Sequence, residues 1–82
     1  MENGILKADG FDEAFLGVAE VHGNVVSVYD RDKAIDILMK RDGMSEESAS
    51  KFFDFNVQGA YVGEFTPIWV QLCGMKYLEE FV

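Results

Sequence analysis

Residues 14–29 constrain this chain more than any other stretch, because two apolar runs are broken there only by Gly23-Asn24. Ala14-Phe-Leu-Gly-Val-Ala-Glu-Val-His22 reads as one strand and Val25-Val-Ser-Val-Tyr29 as a second. Gly and Asn accept the positive backbone angles that a two-residue hairpin needs. A turn at 23–24 sets His22 opposite Val25, Val21 opposite Val26 and Ala19 opposite Val28. One face of the hairpin then carries Phe15, Gly17, Ala19, Val21, Val26 and Val28, and is expected to meet the core. The other carries Leu16, Val18, Glu20, His22, Val25, Ser27 and Tyr29, which is too apolar for a comfortable water surface.

The pattern then changes from period two to helical. Asp30 is placed to cap a helix in which Ala34, Ile35, Ile37, Leu38 and Met39 gather on one side, with Asp32, Asp36 and Lys40 opposite. Asp36 and Lys40 have ion-pair spacing. Gly43 is expected to end this helix, and Ser45 to cap a second over about 46–62, giving an αα-hairpin with almost no loop. Gly63 is the expected stop of the second helix, and Pro67 holds Thr66 extended. Ile68–Cys73 reads as a third strand, and a short helix is expected after Gly74. The expected fold is therefore α+β, in the order β-β-α-α-β with a terminal helix. Its three-stranded, mostly antiparallel sheet carries the αα-hairpin on one face. The edge of the hairpin that the third strand joins stays open.

Eighty-two residues are expected to make one domain over 1–82, since a division would leave neither part an adequate interior. With 49% hydrophobic residues the chain can build a core. Its single cysteine, Cys73, permits no internal disulfide, so association into a homo-oligomer is the expected reinforcement. Fifteen carboxylates face seven Lys and Arg, for a net charge of -8, which argues against nucleic acid and anionic membrane surfaces as partners. No apolar run reaches the length of a membrane span, and Met1-Glu2-Asn3 does not begin a signal-peptide pattern. A reducing cytoplasm is the compartment this implies, and there a lone thiol is ordinary.

Few residues stand out chemically. Asn56 falls within the apolar stripe of the second helix (Ala49, Phe52, Phe53, Val57, Ala60), where a buried amide would need a hydrogen-bond partner: a nearby backbone group or a ligand. Phe55 projects the opposite way, toward a second buried surface on the terminal segment or another subunit. Gly59 and Gly63 beside it would permit close approach. Asp9, Asp12 and Glu13 could begin an oxygen-ligand set for a hard cation, although the spacing is that of no calcium loop, and capping or solvation of the approach to the first strand is the plainer account of Asp12 and Glu13. His22 is the only histidine, so one chain offers no multi-histidine site. Glu20, His22 and Ser27 form a triad-like group on paper, without a pocket or oxyanion donors. Cys73 has only Lys76 near it in sequence to favour a thiolate. No phosphate loop, dinucleotide fingerprint or other cofactor signature can be written, and no catalytic set is assigned.

Four segments together, ADGFDEAFLGV (8–18), VYD (28–30), ILMKRDGMS (37–45) and FNVQGAYVGEFTP (55–67), resemble a family of small hypothetical proteins. These are encoded by tailed phages, marine cyanophages above all, and by related bacterial or metagenomic sequences. The resemblance spans about residues 6–70 and leaves the tail from Gln71 to Val82 outside it. It implies a phage-type accessory protein of the host cytoplasm and brings no activity or cofactor with it. It also draws attention to Asp12, Asn56 and Glu64, which lie within the matching strings. The leading functional expectation is a non-enzymatic, homo-oligomeric interaction protein with Leu16, Val18, Tyr29 and Phe55 at its interface and a host or phage protein as a further partner. The alternative is small-ligand or divalent-metal binding by Asp9, Asp12, Asn56 and Glu64. An acidic DNA-mimicking decoy is the third reading, and the basic residues of 31–43 interrupt the continuous negative strip it would need.

Overall fold

A computed structural model describes residues 5–81. A short 3-10 turn (Asp12–Ala14) leads into β1 (Phe15–Val21), which returns as β2 (Asn24–Asp30). Helix α1 (Arg31–Asp42) follows without a loop, and α2 (Glu46–Phe52) continues into a π-helical segment over Phe53–Gln58. After an irregular stretch come β3 (Ile68–Val70) and α3 (Met75–Leu78), ending in a 3-10 turn over Glu79–Phe81. The sheet order is β1-β2-β3: β1 and β2 are antiparallel along their length, whereas Ile68, Trp69 and Val70 run parallel to Val28, Tyr29 and Asp30. This is the expected α+β layout, with a mixed sheet and the third strand on the β2 edge.

The helix signals act as written in the sequence. The Asp30 carboxylate accepts from the backbone N–H of Asp32 at 2.9 Å and of Lys33 at 3.3 Å, satisfying donors that the first turn leaves without partners. Ser45 Oγ accepts from Ser48 N–H at 3.2 Å, and α1 ends at Gly43 with φ 69°. Lys40 meets Asp36 at 3.0 Å. The second helix, however, stops near Gly59 rather than at 62. Its π segment closes wider turns, so Asn56 rotates away from the line of Phe53, and Ala60 and Tyr61 already lie in the loop.

The hairpin turns one residue earlier than expected. His22 (φ 52°) and Gly23 (φ 85°) form the turn, and Asn24 joins the ladder opposite Val21. A turn with two positive φ angles is the primed type whose twist matches the strands. Gly suits its second position, and His is among the non-glycine residues that tolerate the first. Both arms slip together, so the facing pairs change while their sides do not. Glu20 lies opposite Val25, Val18 opposite Ser27 and Ala19 opposite Val26. At the other end the pairing shifts between Phe15 and Gly17, and Leu16 is the extra residue of a bulge. Gly17 has φ 153° there, a region closed to most side chains. The bulge carries Phe15 across to the side of Tyr29, and their rings meet edge to face at 5.5 Å.

The core lies on the face opposite to the one expected. Tyr29, 1% exposed, packs with Phe11, Ala14, Ala34, Ile35, Leu38, Ala49 and Phe53. Trp69, beside Tyr29 in the ladder, joins this group. Its ring lies 4.9 Å from Tyr29, 5.0 Å from Phe53 and 5.5 Å from Phe11, the last two edge to face. The physical reason is bulk: this face offers Tyr29 and Trp69 to the helices, whereas the other offers Gly17, Ala19 and valines. Aromatic rings bury the most apolar area per residue and gain further from edge-on packing. On the other face Val26 is buried, while Gly17, Ala19, Val21, Val28, Ile68 and Val70 are half-buried.

Candidate interaction surface

The sheet's core side is only partly covered by the helices. Beyond them, residues 5–8 cross it as a strap held by two side chains of β2. The Ser27 hydroxyl donates to Leu6 C=O at 2.7 Å, and the Tyr29 hydroxyl accepts from Ala8 N–H at 2.9 Å. Alternate residues of one strand thus hold alternate residues of an extended segment. The strap divides the surface into two grooves. One, of about 430 Å³, is lined by Ile5, Leu6, Phe15, Val18, Ser27 and Tyr29, with Lys7 and Asp12 also at its wall. The other, of about 520 Å³, lies between the strap, the π segment and the β3 approach, and its walls include Asp9, Phe11, Asn56, Val57, Pro67 and Trp69. A third, at the hairpin tip, has Val21, His22, Asn24, Val26, Tyr61 and Glu64 among its walls.

These grooves separate the residues singled out as a ligand set. Asp12 stands in the first and pairs with Lys7 at 3.6 Å on open surface. Asp9 and Asn56 share the second; Asn56 is exposed at its wall, not buried within a helix stripe. Glu64 is at the hairpin tip, where its Oε1 accepts from Asn24 Nδ2 at 2.9 Å. Among the described residues no group of three or more His, Cys, Asp or Glu is gathered to hold a metal ion, and no buried side-chain donor or acceptor lacks a partner. The triad-like trio comes apart as well. Ser27 is buried under the strap opposite Val18, and His22 sits exposed in the turn. Cys73 is an exposed free thiol.

The expected interface residues divide differently. Leu16 is 47% exposed, Val18 61% and Phe55 82%, so all three present apolar surface to water. Tyr29 does not; it is a core residue, because the helices chose its side of the sheet. Around Val18 the open apolar surface extends to Phe15, Val25 and Leu6, and Tyr61, Val62, Leu72, Met75 and Leu78 are exposed as well. Residues 5–8 were not expected to matter, although an apolar pair, Ile5-Leu6, ahead of Ala8 is a faint sign of a covering segment. Two cations shore up the core from its rim: Arg31 lies over Phe53 and binds Asp54 at 3.1 Å, and Arg41 lies over Phe11 and donates to Gly10 C=O at 3.1 Å. No described helix is long and apolar enough to cross a membrane.

No protein-family model, curated protein or solved structure matches this chain.

Proposed function

We propose that this protein is a non-enzymatic interaction module that works as a homo-oligomer, in its simplest form a homodimer. The observation that supports the reading is surplus surface. A folded monomer of 9.2 kDa exposes about 4,900 Å² by the usual scaling, whereas this chain exposes 5937 Å². The excess of about 1,000 Å² is comparable to the roughly 800 Å² per partner that a standard interface removes. Its radius of gyration of 13.7 Å also exceeds the roughly 12 Å usual for this length. The open residues are large and apolar, which is the composition of an interface centre rather than of a solvated rim. A phage-type accessory role in a host cytoplasm, with a host or phage protein as a further partner, rests on the sequence resemblance alone. Sedimentation equilibrium over a wide concentration range tests the module: association is expected, and a monomer throughout removes the reading.

Small-ligand or divalent-metal binding is the second reading. The groove shared by Asp9 and Asn56 favours its ligand form, while Asp12 and Glu64 stand elsewhere on other partners. Thermal melts with calcium, magnesium and manganese test the metal form, and an unmoved midpoint across the three disposes of it.

A further inference from the structure

We propose that β1 is a homotypic pairing edge, along which two copies join antiparallel about a twofold axis at Val18 to make one six-stranded sheet. The inference rests on the homo-oligomer reading and names the surface that serves it. In a two-residue hairpin the residues flanking the turn form a hydrogen-bonded pair, and such pairs alternate with non-hydrogen-bonded ones. With His22-Gly23 as the turn, Val21, Ala19 and Gly17 spend their backbone groups on β2. The N–H and C=O of Val18 and Glu20 therefore point out from the edge. Among the described residues no backbone group outside the hairpin is bonded to them.

Of the usual protections the edge has the bulge at Leu16 and little else. β1 contains no proline and no lysine, and its one charge is Glu20. The slip of the turn matters here, since it assigns Val18 and Glu20 to the outward set. An axis at an outward-pointing residue closes a hydrogen-bonded pair on the axis itself, and β1 offers Val18 and Glu20 for it; an axis at Ala19 would leave a non-hydrogen-bonded pair there. An axis at Glu20 would set like charges opposite each other, which destabilises a ladder. An axis at Val18 sets Val18 against itself and Glu20 against Leu16 of the partner subunit, and leaves the two Glu20 carboxylates about 13 Å apart along the strand direction. Gly17 and Ala19 then face one another on the opposite side and leave the edges room to approach. Pairing also covers the exposed Val18 with its own copy and sets the exposed Leu16 of each copy beside Glu20 of the partner subunit, which draws on the surplus surface described above.

The test uses full-length protein and three variants. Wild type is expected to sediment as a dimer. Val18→Pro removes an outward N–H that the hairpin does not use, and is expected to weaken dimerisation by at least about 100-fold while the far-ultraviolet circular dichroism stays that of a folded chain. In a Cys73→Ser background, Val18→Cys places two thiols at the axis, where paired Cα atoms lie about 5.5 Å apart, within disulfide reach. Mild oxidation is expected to link it as a dimer, whereas Val25→Cys in the same background, on β2, stays unlinked. A wild-type dimer whose Val18→Cys form does not link, or links no better than Val25→Cys, overturns edge pairing and leaves the homo-oligomer reading standing. A folded Val18→Pro variant that dimerises as wild type does overturns it as well. A wild-type monomer at every concentration overturns both.

Discussion

The strap over Ser27 and Tyr29 offers the most direct measurement of what holds this fold together. Replacing Tyr29 by Phe keeps the ring that Phe15 and Trp69 pack against and removes only the hydroxyl that accepts from Ala8 N–H at 2.9 Å. A neutral hydrogen bond of this kind contributes about 0.5–1.5 kcal/mol net. The strap lies at the surface, so water can take up the released N–H and the cost should stay near 1 kcal/mol. Ser27→Ala removes the 2.7 Å bond to Leu6 C=O and should cost a similar amount. Both bonds hold one segment, so once it detaches the second loss costs little. The double variant should fall short of the sum of the singles by about 0.5 kcal/mol or more. Urea unfolding followed by tryptophan fluorescence reads this well, because Trp69 sits beside Tyr29. A change of 1 kcal/mol also moves the thermal midpoint by about 4–8 °C in a domain of this size. Hydrogen exchange at the Ala8 amide supplies the local reading and should accelerate in Tyr29→Phe. Strict additivity, or an Ala8 amide that exchanges equally fast in wild type and variant, would refute the strap as a unit held by these two hydroxyls.

Asp30→Ala removes both acceptor bonds at the start of α1 and should cost about 1–2 kcal/mol in chemical denaturation. Trp69→Ala removes a half-buried ring from among Phe11, Tyr29 and Phe53, and calorimetry should register about 2–4 kcal/mol, somewhat below the value for a wholly buried tryptophan. At Gly59 an added Cβ would stand 2.9 Å from the backbone carbonyl oxygen of Asp54. Gly59→Ala should therefore destabilise by about 1 kcal/mol or more despite the helix-compatible backbone there, and a neutral result would show that the π segment relaxes freely.

How much of this was legible in the sequence follows from the range of the forces involved. The caps at Asp30 and Ser45, the stop at Gly43 and the αα-hairpin are each decided within about four residues, and all stand where the sequence indicates. The alternation of 14–29 likewise predicts the hairpin and the company each side chain keeps, since a turn slipped by one residue on both arms preserves the two faces. Which residues pair, however, depended on His22 accepting a positive φ, and that selected a different set of outward-pointing edge groups. The bulge at Leu16 could not be read either, because nothing in the strand pattern requires an extra residue there. The ligand set Asp9, Asp12, Asn56 and Glu64 assumed that helix ends meet strand ends in one place, and membership of the matching strings, which drew attention to Asp12, Asn56 and Glu64, does not bear on that. Nearness in space depends on the π segment and on the path of residues 59–67, and these distribute the four among different grooves.

The sequence by itself thus determined the elements, their order and the apolar character of both faces of the hairpin. Those are properties of local conformation and composition, and they need no knowledge of distant neighbours. Only the tertiary structure decided which face of the sheet became the core. Both faces are apolar enough to qualify, and the choice fell to the one where Tyr29 and Trp69 fill the space against Phe11 and Phe53. That choice buries Tyr29 and leaves Val18 and Leu16 in water, and among the described residues β1 is an open edge, because β3 adds its hydrogen bonds to β2 and none to β1. Burial on one side of a three-stranded sheet is a competition between volumes brought together from across the chain, and its outcome sets the surface that remains exposed.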